Sequence, residues 1–311
     1  LAIAKFVFSK KVEFSSSLVT DLKLLPILTM MEVKGTMINP EILENHGKFL
    51  DGKTEDISKD IFEIAGQDFN IASPKQVGHI LFDVLEIESK KKTTAEDVLR
   101  KIADDNPIVN KILEWRSLSK LKSTYIDGLI SRMDKDNLLH TTFNQTITLT
   151  GRLSSTDPNL QNIPIRTEDG RVIREAFVAR KGYKILAADY SQIELRVLAH
   201  MANITNFIEA FQKNIDIHSL TASEVFGVDL EDVTSEQRRN AKAINFGLIY
   251  GMGVNKLAEE LGISRKESKL YMDTYFEKYD VKPYFEGQLN YAQENLSVQT
   301  LSGRKIPTTG I

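Results

Sequence analysis

The chain has no cysteine in its 311 residues. Disulfides, thiolate zinc sites and a cysteine nucleophile are therefore excluded together. The absence is compatible with a reducing cytoplasm. Long apolar runs are also missing. The most hydrophobic stretch, Leu22 to Met31, is broken by Lys23 and Pro26 and is far too short to span a bilayer. The start, Leu1-Ala2-Ile3-Ala4-Lys5, has neither Met nor a secretory layout, which reads as a processed or truncated beginning. No glycine-rich G-x-x-x-x-G-K-S/T loop, H-E-x-x-H pair or serine nucleophile elbow occurs. Any phosphate recognition must then come from side chains.

What is present is ordinary for a folded protein: 41% hydrophobic and 27% charged residues exclude both a disordered and a membrane class. The net charge of -3 lacks the strongly basic balance of an indiscriminate phosphate-backbone binder. Charge is nevertheless segregated. Arg116, Lys120 and Lys122 share a window without an acid up to Ile126, whereas Glu41 to Asp60 is rich in acids. Nucleic acid stays open as a partner.

Three zones are legible. From about Leu18 to Tyr125 apolar residues recur at helical spacing. Ser73-Pro74 predicts a helix start, and Lys90 to Thr94 an exposed loop. Near Leu138 the pattern changes. Thr141 to Leu149 alternates and is β-branched, which predicts a strand. A loop-like stretch follows from Gly151 to Arg166, and Glu175 to Ala179 and Lys184 to Ala188 are further strand candidates. From Ser191 onward helices return, punctuated by Gly227, Gly251, Gly253 and Gly262. Helical lobes flanking a small sheet give an α+β class.

Two places carry chemistry. Ile185 to Ala188 predicts a buried strand closed by Asp189-Tyr190, and Ser191-Gln192-Ile193-Glu194 reads as a capping box opening a helix. An acid at that junction suits a hard cation such as Mg²⁺, but it equally suits a helix cap. Glu194 is explained by the capping box without any ligand. The second place is Thr234 to Gly251, where Thr234 and Gln237 form a capping-box pair. Arg238, Lys242, Phe246 and Tyr250 recur every four residues, each step drifting by only about 40° around the helix. Two cations one turn apart suit a di- or triphosphate, and a ring beyond them suits a base or sugar. Gly247 removes bulk beside that ring. The competing reading is a solvated amphipathic helix with one aromatic on its core edge. His218, alone in Asp216-Ile217-His218, is by itself a structural histidine.

Together these segments closely resemble family A DNA polymerases, of the bacterial DNA polymerase I type. Asp189-Tyr190-Ser191-Gln192-Ile193-Glu194-Leu195-Arg196 is similar to that family's first palm motif. Arg238 through Gly251 (RRNAKAINFGLIYG) looks like its fingers-helix motif. Thr150 to Ser155 and Asp157 to Pro164 resemble its primer-template contact region, and Lys120 to Tyr125 a thumb segment. The likeness runs from about Leu25 to Gly303.

The resemblance implies a right-hand architecture with a helical thumb, a partial antiparallel palm sheet and helical fingers. It divides the chain into a connector at 1–19, thumb at 20–137, palm at 138–200 and fingers at 201–311. It further implies that Asp189, with the Tyr190 carbonyl, ligates two Mg²⁺ ions. Arg238, Lys242 and His218 hold the phosphates of an incoming dNTP, and Lys242 counts with Asp189 as catalytic. Ser191 and Gln192 belong to the nucleotide site, and Phe246 stacks near sugar and base. Tyr250 guards the templating position, and Glu194 gates against a ribose 2′-OH. Lys120, Lys122, Ser123, Thr124, Arg152, Asn159, Gln161, Asn162 and Tyr250 touch primer-template DNA. By the same analogy Phe246, standing where some members have Tyr, implies discrimination against dideoxynucleotides. The implied protein is a monomeric, cytoplasmic, nucleoid-associated polymerase with no membrane partner. The family's second metal carboxylate lies in a late His-Asp-Glu motif, and none of the five histidines here precedes Asp-Glu. The expectation is a chain cut before that hairpin.

Overall fold

A computed structural model describes residues 16–165 and 167–308. Most of the expected connector at 1–19 lies outside them. The chain divides into two compact units, Leu1–Leu186 and Ala187–Ile311. Helices dominate both, and the described strands form three two-stranded antiparallel sheets. The α+β class holds, with three small ribbons in place of one sheet.

In the first unit, helix α1 (Ser16–Lys34) leads through strand β1 (Thr36–Met37) into the 26-residue helix α2 (Pro40–Ala65). Helix α3 (Pro74–His79) and the short α4 (Glu96–Leu99) follow, then α5 (Pro107–Leu121). Proline at the first helical position opens α2, α3 and α5, where a missing N–H costs nothing. Asn39 and Ser73 cap the first two of these by accepting from the amides of Glu41 and Gln76. The Ser73-Pro74 start is thus as expected, and residues 90–94 are loop.

At about 1.5 Å per residue α2 is about 39 Å long, enough to serve two cores. Leu43 and Leu50 pack with Leu118, Ile126, Leu129 and Ile173. Ile61 and Ala65 pack with Val77, Leu81, Leu99 and Ile112. Each fully buried Leu or Ile contributes about 1.5–3 kcal/mol. Helix α5 continues as a wider π-helical segment over Lys122–Asp127 and then α6 (Gly128–Ile130).

Strand β2 (Leu138–Leu139) pairs with β1, and β3 (Thr142–Asn144) with β4 (Ser154–Thr156). The strand expected over 141–149 therefore stops at Asn144. Its partner is only three residues long, and beyond it Ile147 and Leu149 are exposed. That partner sits inside the stretch expected to be loop. Residues 175–179 also differ: Glu175 ends helix α7 (Glu168–Glu175), and Phe177 makes one bridge to Ile38.

The second unit contains α8 (Ile193–Met201), α9 (Thr205–Gln212), α10 (Ile217–Phe226) and α11 (Ser235–Ile249). These are followed by α12 (Val254–Leu261), α13 (Arg265–Tyr279) and α14 (Lys282–Asn295), and the ribbon of β5 (Ser297–Gln299) with β6 (Lys305–Pro307). Leu195, Phe207, Ile217, Ile244, Leu257, Tyr275 and Tyr279 share one core. The Phe207 and Tyr279 rings lie 4.3 Å apart between centroids. Helices α10 and α11 are thereby packed side by side, which positions the site.

Candidate functional site

Helix α11 begins with the expected capping box: the Gln237 amide donates to Thr234 Oγ1 at 3.2 Å, and Gln237 Oε1 accepts from the Thr234 amide at 2.9 Å. This register buries Ala241, Ile244, Asn245 and Leu248. It leaves Arg238 and Lys242 exposed and Phe246 half-buried at the edge. Asp216 caps α10, accepting from the Ser219 amide at 2.8 Å. The same carboxylate receives Arg238 in a fork, Nε to Oδ1 at 3.0 Å and Nη2 to Oδ2 at 2.8 Å. Burial opposes ionisation of Asp216, but Arg238 and the Ser219 amide and hydroxyl outweigh it and hold its pKa at about 2.

His218 is buried in the first turn of α10, its ring 5.7 Å from that of Phe246 at 51°. Burial, helped by the charges of Arg238 and Lys242 and opposed by Asp216, lowers its pKa to about 4. The ring is neutral at pH 7 and carries no charge of its own to the cluster. His218, Arg238, Lys242 and Phe246 are thus neighbours across two helices. Arg238, Lys242 and Tyr250 of the stripe are exposed and Phe246 is half-buried, as on an amphipathic helix, with the buried His218 packed beside the ring.

Two local expectations fail. Gly247 does not open space beside the ring: a Cβ there meets Met252 Sδ at 2.9 Å, so its smallness admits Met252. The Ser191 capping box is not made. Gln192, at φ 51°, is the cap residue of α8 and makes no side-chain cap bond. Glu194 instead accepts from the Tyr250 hydroxyl at 2.5 Å, which joins α8 to the end of α11.

Residues 184–188, expected as a buried strand, are neither strand nor buried. Ile185 is 61% exposed and Leu186 89%. A strand exists through its ladder, and no described strand pairs with this one. Asp189 and Tyr190 are exposed on the same stretch. Among the described residues no three His, Asp or Glu side chains gather as a metal site. Asp189 belongs to no such cluster, so the described residues do not by themselves fit two Mg²⁺ ions.

Apart from Tyr250, the expected nucleic-acid residues lie in the first unit. The Tyr125 hydroxyl donates to the Asn162 carbonyl at 2.6 Å, bringing Lys122 to Tyr125 against the 159–162 loop. Lys120, Ser123 and Thr124 are exposed there, as are Arg152, Gln161 and Asn162. Lys122 is engaged by Asp127 at 3.0 Å and Asp51 at 3.4 Å. Asn159 Oδ1 is engaged as well, accepting from the Gln161 amide and the Ser155 hydroxyl. Both serve the loop's own geometry. Arg116, in the acid-free window, donates to the Thr94 carbonyl. A cavity of about 1040 Å³ between Phe82, Ile87, Val98 and Lys101 contains none of the expected site residues.

The partners of the stripe went unread in the sequence. Asp216 had a signal, two residues before His218 at a helix start. Asn245 had another: a poor helix former inside an apolar helical stretch.

The family model described as DNA polymerase family A matches residues 40–311. The chain belongs to DNA polymerase family A. It is 47% identical over 92% of its length to DNA polymerase I of Pseudomonas aeruginosa, covering 32% of that protein. To DNA polymerase I of Bacillus subtilis it is 49% identical over 90%, covering 33%. This family A chain thus spans about a third of the length of the curated relatives it matches. Among solved structures it resembles the POL domain of Pol1 from M. smegmatis in complex with DNA primer-template and dNTP. The TM-score is 0.84 at 40% identity, over 92% of this chain and 52% of that one. The fold is that of the right-hand polymerases, as the resemblance implied. No described helix is long and apolar enough to cross a membrane.

Proposed function

We propose that the protein carrying this chain is a DNA-templated DNA polymerase. It adds deoxynucleoside triphosphates to a primer 3′-OH in replication or repair, working as a monomer. The observation that supports this most is the meeting of His218, Arg238, Lys242 and Phe246 across α10 and α11. In this reading Arg238 and Lys242 take the triphosphate charge, and the neutral His218 adds a hydrogen bond. Phe246 offers a ring edge to sugar and base. Asp216 occupies only the Nε and one Nη of Arg238, so other N–H groups of the guanidinium still serve a phosphate. Tyr250 and Glu194, joined by their hydrogen bond, form the wall that meets the templating base and the sugar 2′ position.

Lys120, Lys122, Ser123, Thr124, Arg152, Asn159, Gln161 and Asn162 are the primer-template residues of this reading, and 20–137, 138–200 and 201–311 its thumb, palm and fingers. Reaction is attack of the 3′-OH on the α-phosphate with loss of pyrophosphate. By the family resemblance a pair of Mg²⁺ ions would stabilise that transfer, and Asp189 is the carboxylate of this chain that would face them.

A second reading has an observation of its own. The absence of a described metal cluster favours a chain that, alone, only binds primer-template and nucleotide. The test is primer extension with Mg²⁺ and four dNTPs, beside DNA binding at several salt concentrations. The 311-residue chain is expected to bind primer-template with salt-sensitive affinity and to extend it little or not at all. A longer protein containing it is expected to extend, with Asp189→Asn abolishing extension. DNA binding indifferent to salt, or extension by the longer protein unaffected in Asp189→Asn, refutes the assignment.

A further inference from the structure

Behind the basic face lies a buried polar chain of four side chains. Tyr279 of α13, Thr221 and His218 of α10 and Asn245 of α11 are each no more than 3% exposed. The Tyr279 hydroxyl donates to Thr221 Oγ1 at 3.1 Å, and Thr221 Oγ1 lies 2.9 Å from the Ile217 carbonyl, which takes its only hydrogen. One acceptor position of that hydroxyl remains. Asn245 Nδ2 fills it at 3.0 Å, while Asn245 Oδ1 is farther off at 3.2 Å. The amide group therefore turns its N–H₂ toward α10. Its second hydrogen meets His218 Nδ1 at 3.1 Å.

A ring nitrogen that accepts carries no proton. We propose that Asn245 is a positioning residue that fixes His218 as the neutral imidazole with its hydrogen on Nε2, across the ring from the amide. The basic face thereby gains a hydrogen-bond donor whose proton does not depend on solvent. The inference rests on the reading of that face as a phosphate site, to which an Nε2–H offers a donor and a bare Nε2 a repelling lone pair.

The surroundings agree. Among the described residues the charge of Asp216, before α10, favours the imidazolium, Arg238 and Lys242 on α11 oppose it, and Glu224 of α10 faces Tyr279. From α13 the chain presents Tyr279, whose hydroxyl is held un-ionised by burial. An uncharged ring is the low-energy state there, and only its tautomer is left to specify. A mid-helix asparagine is a costly choice for packing alone, since a buried amide is tolerable only when its hydrogen bonds are made.

The test is long-range ¹H–¹⁵N correlation NMR of the 311-residue chain labelled on histidine nitrogen, with His218 assigned by its disappearance in His218→Gln. The wild-type ring is expected to be protonated on Nε2 at pH 7, and this measurement decides the matter without any variant. Asn245→Asp places an acceptor at Nδ1. In it the proton is expected to move to Nδ1, and the ratio of charged to neutral ring at a given acid pH to rise about tenfold. A wild-type ring protonated on Nδ1 overturns the inference. So does an Asn245→Asp ring that keeps the wild-type tautomer and titration. The readout is taken on the unliganded protein. A failed primer extension therefore strikes the polymerase reading, and a wrong tautomer strikes this one.

Discussion

The stretch 183–190 and the α10–α11 pair carry the two halves of the implied chemistry under opposite physical conditions. On the first, Leu186 and Tyr190 are 89% and 81% exposed, and Asp189 belongs to no cluster of three metal-ligating side chains among the described residues. On the second, Ile217, Thr221, Ile244 and Asn245 are wholly buried, and Arg238 is held by Asp216. The difference follows from how the two element types are stabilised. A helix closes its own hydrogen bonds, so two of them need only one shared apolar seam to hold a site. A strand has no internal ladder, and its geometry exists only beside a neighbour. The α10–α11 pair, proposed to face the nucleotide, is therefore built by this chain's own contacts. The 183–190 stretch, proposed to face the metal, has no strand partner among the described residues.

Stability should report the same contrast. Ile244→Ala removes a wholly buried side chain between α10 and α11 and is expected to cost about 2–5 kcal/mol. Leu186→Ala is expected to change stability by less than about 0.5 kcal/mol. Urea unfolding followed by circular dichroism reads both, and a Leu186→Ala loss comparable with that of Ile244→Ala would show that the 183–190 stretch is packed after all.

Acid separates the two regions next. Above pH 6.5 His218 is neutral folded or unfolded. As pH falls the unfolded chain takes up the proton first, and stability drops until the folded ring titrates near pH 4. The loss is about 3 kcal/mol, and His218→Gln should remove it. A variant that keeps the full acid loss between those limits would contradict the assignment to His218. Asp216 acts lower. Its pKa is depressed, so its contribution is present above 3.8 and fades as pH falls toward about 2. Asp216→Asn keeps a competent helix cap and removes only the charge facing Arg238. With both side chains partly exposed, the expected cost is about 1 kcal/mol at low salt, shrinking as salt is added. A salt-independent loss would mean that capping, not the ion pair, is what Asp216 supplies.

Much of this was legible in the residues. The 238–250 stripe was read from spacing alone, because helical periodicity is a local property that tertiary packing rarely rewrites. Ser73-Pro74 and the Thr234 box were equally local. The 184–188 strand was misread for the converse reason: a β-branched run states a preference, and only a pairing partner makes it a strand. The stop of β3 at Asn144 repeats that lesson. Asn245 and Asp216 went unread because their importance lies in what they face, 22 to 27 residues away along the chain.

The narrowest contrast sets two signals of the same spacing against each other. Ser191 to Glu194 and Thr234 to Gln237 both show a hydroxyl followed three positions later by a Glu or Gln. Only the second closes into reciprocal bonds. At the first, Gln192 takes a left-handed backbone, α8 starts one residue later, and Glu194 is drawn to Tyr250. Tertiary demand outweighs a cap worth only about 1 kcal/mol. Thr234→Ala is accordingly expected to cost about 0.5–1 kcal/mol, and Ser191→Ala no more than a few tenths, about 0.2 kcal/mol. Equal losses would mean that the Ser191 box forms in solution. Glu194 would then be divided between a cap and Tyr250, and its place in the wall facing the sugar would fall with it.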